Sequence, residues 1–315
     1  MSKRLFSTIF SFFIIASTFT LFSSPSISVQ AEPKELNLFR RAYPDLTFKS
    51  TYDAKVKDFL ITITCEDRTA DFYWQNGSLL PPQEVQNTEN YWTLLYSYVD
   101  KIPDPKDFTP EDIERIRNFS SKENRTNGAK TPPFFYDLIY DCKTRAALEK
   151  HIIKHTFLGK NTIIHERIKE PLLRVEKKIL DEAKVTPEVQ TFIDNLLSAD
   201  CYNWREIQDS GNRSFHSLGI ALDILPKGWG QKNVYWAWRR DFDKDWMLLP
   251  LNRRWTPPEK VIEIFESEGF IYGGKWIIWD NMHFEYHPEI ILYNSSQNSK
   301  AASNTSSNKL SSTSR

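Results

Sequence analysis

The stretch RSFHSLGIALDIL, Arg213–Leu225, combines a histidine, a glycine and an aspartate with an apolar run. The apolar residues around Ala221 and Ile224 predict a buried strand over GIALDIL. Asp223 lies inside that strand, and a buried carboxylate destabilises a fold unless a cation or hydrogen bonds compensate it. His216 lies in a polar turn at the mouth of the same strand. The stretch therefore indicates a polar site on one face of a sheet.

A second polar segment, WDNMHFEY, lies about sixty residues further along the chain and contains Asp280 and His283. Catalytic zinc takes three nitrogen or oxygen ligands from the protein and leaves a fourth position open. His216, Asp223 and His283 supply such a set. Asp280 is then expected near the metal as the base that takes a proton from the attacking water. Strand alternation places Glu285 on the face of His283, where it can orient that ligand.

The segment SFHSLGIALD resembles the SxHxxGxAxD signature of the zinc peptidases that trim peptidoglycan stem peptides. These include D-alanyl-D-alanine carboxypeptidases and L-alanyl-D-glutamate endopeptidases. GGKWIIWDNMHFEYHPE resembles their closing D/E-x-x-H segment and YNWREI their arginine-bearing strand, so the resemblance covers about Asp200–Glu289. The resemblance implies that His216, Asp223 and His283 are the zinc ligands. It implies that Asp280 is the general base and that Arg205 directs a positive charge toward the substrate. It also implies that Ser214 makes a hydrogen bond near the substrate or the ligand loop.

The residue at the base position bears on which bond is cleaved. In the family that the chain resembles, the carboxypeptidases and dipeptidases mostly carry glutamate there, and the L-alanyl-D-glutamate branch mostly carries aspartate. Asp280 therefore favours an L-Ala-D-Glu endopeptidase, and a D-Ala-D-Ala carboxypeptidase is the other reading. His287 follows the same segment, and we expect it at the surface or against the substrate rather than as a third imidazole near the metal.

A function of another class is also compatible with this resemblance. The same zinc site occurs in secreted modules without evident turnover, so the chain could be a non-catalytic, zinc-containing module that binds peptidoglycan or has a structural role. Asp280 and Arg205, which such a module does not need, favour the peptidase.

The sequence predicts an α+β fold with a small antiparallel sheet flanked by helices and a zinc cleft on the sheet. This catalytic domain is assigned to residues 186–293. A mainly helical accessory region, residues 32–185, is expected to pack against it. Within that region DFLITITCEDRTADFYW alternates and predicts two short strands.

Helices are predicted from about Pro110 to Ala199, over PEDIERIRNF, LIYDCKTRAALEKHIIKHTFL, NTIIHERIKEPLLRVEKKILDEAK and TPEVQTFIDNLLSAD. Thr186 is the expected N-cap of the last of these helices, and Pro171 is expected to kink or split the one before it. A strand is predicted at KWIIW and a helix over TPPEKVIEIFESEGF.

Three further histidines fall in the predicted helical zone. His151 and His155 have helical i,i+4 spacing but lack the acidic residue of the HExxH zinc motif. They are therefore assigned to a partly exposed helix face, and His165 to a helix surface.

The two ends of the chain carry different signals. Lys3 and Arg4 precede an apolar stretch and then small residues, which predicts a signal peptide over residues 1–31, cleaved near Ala31. The alternative is an uncleaved membrane anchor, and in either case we expect an exported protein, periplasmic or secreted. Residues 294–315 are rich in Ser and Asn, which predicts a disordered tail.

Composition excludes some partners. Lys plus Arg and Asp plus Glu both total 41, so the formal net charge is zero and no basic patch favours a nucleic acid. The odd set of cysteines, Cys65, Cys142 and Cys201, is no disulfide framework and is expected as buried free thiols. The tryptophans of GWGQKNVYWAWRRDFDKDW are assigned to the core, with a groove for a glycopeptide as the alternative. The sequence leaves the oligomeric state undetermined.

Overall fold

The computed structural model describes residues 30–205, 207 and 212–298. The predicted signal peptide, apart from residues 30–31, and residues 299–315 of the predicted tail lie outside this described part. Helices alternate with small antiparallel sheets, so the predicted mixture of helix and antiparallel sheet is confirmed. None of the described helices is both long and apolar enough to cross a membrane.

The helices are α1 (Leu36–Ala42), α2 (Pro110–Ser120), α3 (Lys122–Asn127), α4 (Phe134–Ile139), α5 (Arg145–Leu148), α6 (Lys169–Ala183), α7 (Pro187–Asp194), α8 (Trp236–Arg240) and α9 (Glu259–Ser267). A further helix covers residues 288–298. The strands are β1 (Thr47–Asp53), β2 (Asp58–Cys65), β3 (Arg68–Tyr73), β4 (Ile152–Phe157), β5 (Lys160–His165), β6 (Leu196–Asp200), β7 (Ala221–Pro226), β8 (Phe270–Tyr272) and β9 (His283–Tyr286).

The four-stranded sheet that carries the two polar segments has the order β6-β7-β9-β8, and its neighbouring strands are antiparallel. Its register places Asp223 of β7 opposite His283 of β9. Residues opposite each other on neighbouring strands share a face, with their Cβ atoms about 5 Å apart. The alternate residues Leu222 and Phe284 pack in the core. The sheet therefore brings the two segments together on one polar face.

The expected strands over DFLITITCEDRTADFYW are present as β2 and β3, and β1 pairs with β2 to complete a three-stranded sheet. Helices α7, with its N-cap at Thr186, and α9 also lie within their predicted segments. The accessory region is less helical than expected, however, because residues 32–185 contain five strands, β1–β5, beside helices α1–α6.

The predicted helix across LIYDCKTRAALEKHIIKHTFL is wrong in its second half. After α4 and α5 the chain forms an antiparallel hairpin of β4 and β5, which also replaces the start of the next predicted helix. Leu158 and Gly159 connect the two strands with φ of +46° and +75°. A two-residue hairpin turn of type I′ requires positive φ at both positions. The β-branched residues on either side, such as Ile152 and Thr162, favour strands and outweigh the helical spacing.

The histidines of this hairpin are therefore not on helices. His151 precedes β4 and His155 lies within it, so the two do not form a helical i,i+4 pair. His165 ends β5 and is 1% exposed, which contradicts the assignment to a surface. One ring nitrogen, Nε2, lies 3.2 Å from the carbonyl oxygen of Tyr140. Burial lowers the pKa of His165 to about 4, so the ring is neutral at pH 7.

Other predicted boundaries are corrected. LLSAD forms β6 rather than the end of a helix. KWIIW is not a strand, and strand β8 ends at Tyr272, before this segment begins. Pro171 does not split a helix: it lies in the first turn of α6, where its missing N–H has no helical partner to lose, and α6 runs on to Ala183. Residues 294–298 of the predicted tail continue the helix that begins at residue 288.

The accessory region and the segment that follows it share one hydrophobic core. Phe39 of α1 and Phe135 of α4 belong to the same cluster of buried side chains as Leu222 and Phe284 of the four-stranded sheet. Residues from Glu32 onward form one compact unit. A cut at residue 185 would therefore expose apolar surface on both pieces.

The hairpin of β4 and β5 packs against the turn that follows His216. The backbone N–H of His165 donates to the carbonyl of Gly219 at 2.8 Å. Gly219 has φ of +70°, and a Cβ atom there would lie 2.8 Å from the backbone nitrogen of His165 and 2.8 Å from Cδ1 of Ile152. Glycine is thus required both by the left-handed backbone and by the close approach of the hairpin.

We expect Gly219→Ala to lower the free energy of unfolding by roughly 2–5 kcal/mol, because backbone strain adds to a steric clash. The matched control is Gly159→Ala, since Gly159 has φ of +75° but open space where a Cβ would lie. Equilibrium unfolding in urea should show a clearly larger loss for Gly219→Ala. Equal losses in the two variants would contradict the close packing of the hairpin.

Candidate metal centre

His216 is held in a defined orientation at the entrance to β7. It lies in a single 3-10 turn, Phe215–Leu218, between Ser214 and the left-handed Gly219. The Oγ atom of Ser214 accepts from the backbone N–H of His216 at 3.2 Å, so Ser214 is placed to hold the ligand loop. Nδ1 of His216 lies 2.6 Å from the carbonyl oxygen of Cys201. The ring can donate there, which leaves the Nε2 lone pair available for a metal.

The three predicted ligands converge. Nε2 of His216 lies 3.2 Å from Oδ2 of Asp223 and 3.2 Å from Nδ1 of His283. Nδ1 of His283 lies 2.8 Å from Oδ1 of Asp223. One ligand atom from each residue lies within 4.8 Å of the other two, and both histidines are buried. Two imidazoles and a carboxylate converging on one point are the ligand types that a catalytic zinc takes.

The electrostatics of this cluster fit a cation. Burial by itself raises the pKa of Asp223, but the charges and hydrogen bonds of His216 and His283 hold it far below its ordinary value. Burial likewise disfavours the charged form of His283, but its hydrogen bonds to Asp223 and Glu285 and their charges raise its pKa well above the usual range. The cluster thus stabilises positive charge beside Asp223, and a dication can supply that charge in place of protons.

Asp280 lies in the same cavity in an unusual environment. Its Oδ1 atom is buried and has no hydrogen-bond partner among the described residues. Burial raises the pKa of Asp280 to about 8; the nearby His283 opposes this rise, and the charge of Asp223 adds to it. A dication bound at the three ligands would lower this pKa and favour the carboxylate. The arrangement gives a carboxyl group that can both accept and release a proton near neutral pH.

A glycine allows Asp280 and His283 to approach the loop after β8. The N–H of Asp280 donates to the carbonyl of Gly273 at 3.0 Å. A Cβ atom on Gly273 would lie 2.7 Å from the Asp280 carbonyl oxygen and 3.2 Å from Cβ of His283. Sequence reasoning missed this requirement, because Gly273 looks like an ordinary turn residue.

A chain of buried polar groups extends behind His283. Oε1 of Glu285 lies 2.8 Å from Nε2 of His283, so Glu285 is placed to orient this ring, as expected. Oε2 of Glu285 lies 3.3 Å from Nε2 of His287, and Nδ1 of His287 lies 3.0 Å from Oε1 of Glu289. The expectation of a surface position for His287 is wrong, because this residue is 2% exposed. In the sequence, Glu285, His287 and Glu289 occupy every second position, and this pattern is the signal that could have indicated the network of buried polar groups.

Opposite charges meet in this network at Glu285 and His287. Burial disfavours the charged form of Glu285, but hydrogen bonds from His283 and His287 lower its pKa to about 2. Burial also disfavours the charged form of His287, but Glu289 and Glu285 on either side raise its pKa to about 9. At pH 7 a positive His287 imidazolium therefore lies beside the negative Glu285 carboxylate, and their attraction offsets part of the cost of burying each charge.

The candidate ligands open onto a cavity of about 950 Å³. Arg205 is exposed and lines this cavity, and the residues that follow it, 206 and 208–211, are outside the described part of the chain. Sequence reasoning missed that the accessory region forms one wall, to which Trp92, Tyr96, Phe119, Arg125 and Tyr136 contribute.

The tryptophans divide between the two roles considered for them. Trp236 and Trp246 are each 2% exposed and pack in a common apolar cluster, as the core assignment expects. Trp238, in contrast, is 42% exposed, and it lines the cavity together with Trp236. All three cysteines are buried and free, as expected.

One family model covers most of the segment that carries the candidate site. Residues 208–286 match a family model described as D-alanyl-D-alanine carboxypeptidase, which confirms the resemblance drawn from the motifs and supports a peptidase. The matched segment contains the three candidate ligands and Asp280, whereas Arg205 lies just before it. A second model, described as a domain of unknown function, matches residues 35–96. Neither a curated protein nor a solved structure matches the chain.

We expect His216→Ala to weaken zinc binding by more than about 100-fold, because the remaining two residues leave the metal under-coordinated. The matched control is His155→Ala, which removes a histidine of the β4–β5 hairpin outside the cluster. Competition with a chromophoric chelator measures both affinities. Zinc affinity in His216→Ala equal to that of the His155→Ala control would contradict this ligand set.

Proposed function

We propose that the protein is a zinc metallopeptidase that hydrolyses peptide bonds in the stem peptides of bacterial peptidoglycan. The observation that carries the proposal is the convergence of His216, Asp223 and His283 on one point, with Asp280 in the same cavity. The match of this segment to a carboxypeptidase family supports the substrate class.

The residues around the cavity have distinct roles in this proposal. When bound, zinc supplies Lewis acidity toward the scissile carbonyl and the attacking water. Asp280 accepts the proton of the water and passes it to the leaving amine, a role that suits a buried carboxyl whose Oδ1 has no hydrogen-bond partner in the described chain. Arg205, on the cavity wall, stabilises negative charge on the carbonyl oxygen. Glu285 holds the ring of His283 in place.

The bond cleaved is proposed to be L-Ala-D-Glu within the stem. Asp280 is the acid that the endopeptidase branch mostly carries at the base position. A second cavity of about 570 Å³ shares Tyr96, Phe119, Trp276 and Ile278 with the first, so the cleft continues beyond the candidate metal centre. A continuing cleft suits a substrate that extends on both sides of the cleaved bond. Cleavage of terminal D-Ala-D-Ala is the other activity within this proposal.

The second candidate function is a non-catalytic, zinc-containing module that binds peptidoglycan or has a structural role. It would use the same three ligands but needs neither a base nor a positive charge at the carbonyl. The presence of Asp280 beside the ligands favours the peptidase.

The place of action is part of the proposal. Peptidoglycan lies outside the cytoplasmic membrane, and the predicted signal peptide would deliver the chain there. We therefore propose an exported protein, periplasmic or secreted.

We expect the wild-type chain with zinc to release new fragments from purified peptidoglycan, and Asp280→Asn to release them at least about 100-fold more slowly while it still binds zinc. Asp194→Asn, an exposed change on α7, is the control. Mass spectrometry of the fragments identifies the bond: stems that lose terminal D-Ala indicate a carboxypeptidase, and stems cut after L-Ala indicate the endopeptidase.

The same digest separates the two function classes. A zinc-loaded wild-type chain that binds peptidoglycan and releases no fragments would favour the binding module. Full activity of Asp280→Asn would remove Asp280 from its role as base.

A further inference from the structure

The chain of polar groups behind His283 ends on two tyrosines of the accessory region. The hydroxyl of Tyr43, at the C-terminal end of α1, donates to Oε2 of Glu289 at 2.7 Å. The hydroxyl of Tyr136, in α4, donates to Oε1 of the same carboxylate at 3.2 Å. Glu289 is fully buried, and the two tyrosines are 2% and 3% exposed. Both oxygens of a desolvated carboxylate are therefore held by side chains from outside the matched family segment.

Each link in this chain fixes the next one. The tyrosine hydroxyls orient Glu289, and Glu289 in turn holds Nδ1 of His287. His287 then holds Oε2 of Glu285, and Glu285 holds Nε2 of His283. Residues that hydrogen-bond to a metal ligand fix its ring orientation and tune its basicity. In a buried network, removal of one partner leaves the next polar group poorly satisfied, which loosens its position. Through these hydrogen bonds, the positions of α1 and α4 determine the orientation of the His283 ring.

We propose that Tyr43 and Tyr136 are positioning residues for the metal ligand His283, and that the accessory region thereby helps to build the metal centre. This inference rests on the zinc site of the proposed function. It assigns a role to the region that contains the match to a domain of unknown function, because Tyr43 lies within residues 35–96. Tyr43 acts through Glu289, whereas Tyr136 contacts both Glu289 and His287, since its hydroxyl lies 3.3 Å from Nδ1 of His287. Neither tyrosine is itself catalytic.

The experiment compares zinc binding by the full chain and by the single variants Tyr43→Phe and Tyr136→Phe. Each variant removes one hydroxyl and keeps the aromatic ring in the core. We expect each to weaken zinc binding by about 3- to 10-fold, less than the effect of a residue in contact with a ligand. The visible spectrum of the cobalt-substituted chain should change as well, because it reports the geometry of the ligands.

The matched control is Tyr98→Phe. Tyr98 is also a buried tyrosine of the accessory region whose hydroxyl donates to a carboxylate, that of Glu266, but it lies outside the chain to His283. We expect Tyr98→Phe to lower thermal stability and to leave the zinc affinity and the cobalt spectrum as in the wild type.

The outcomes separate this inference from the proposed function. If Tyr43→Phe and Tyr136→Phe lose only thermal stability and keep wild-type zinc affinity and cobalt spectrum, the positioning role is wrong although the metal site stands. If the wild-type chain itself binds no zinc, both the metal site and the inference fail. Weaker zinc binding and an altered cobalt spectrum in either variant, without a similar change in Tyr98→Phe, support the positioning role.

Discussion

The structure depends on one electrostatic constraint, the placement of the Asp223 carboxylate inside a strand. Burial disfavours its charge, and two imidazoles at 3.2 and 2.8 Å stabilise it. The second imidazole comes from a strand sixty residues away, so the antiparallel register of β7 and β9 is a requirement of the site as well as of the fold. The loop after β8 carries Asp280 and brings its carboxyl group beside the candidate ligands. Gly273 therefore approaches Asp280 and His283 closely.

The accessory region completes the site rather than merely adjoining it. Its hairpin packs on Gly219 at the end of the ligand turn, its side chains form a wall of the cavity, and its tyrosines close the polar chain behind His283. A match that begins at residue 208 therefore covers the candidate ligands but not everything that orients them. The shared core matters for the proposed metal site, because a metal ligand is only as well placed as the groups that hold it.

The sequence predicts best where chemistry restricts the residue type. The grouping of His216 and His283 around Asp223 was predictable because an aspartate among apolar residues needs a positive partner, and strand β7 was predictable because its residues form an apolar run. The β4–β5 hairpin was not, because its spacing also fits a helix and the turn at Leu158 requires an uncommon positive φ. The link from Tyr43 to Glu289 was not predictable either, since the two residues lie 246 positions apart and no local pattern records a contact at that distance.

The most direct test of the account is a crystal structure of the zinc-loaded full chain with anomalous diffraction measured on both sides of the zinc absorption edge. The account predicts one strong anomalous peak about 2 Å from Nε2 of His216, Nδ1 of His283 and a carboxylate oxygen of Asp223. A peak at any other set of residues, or no peak between these three in a crystal that contains zinc, would contradict it.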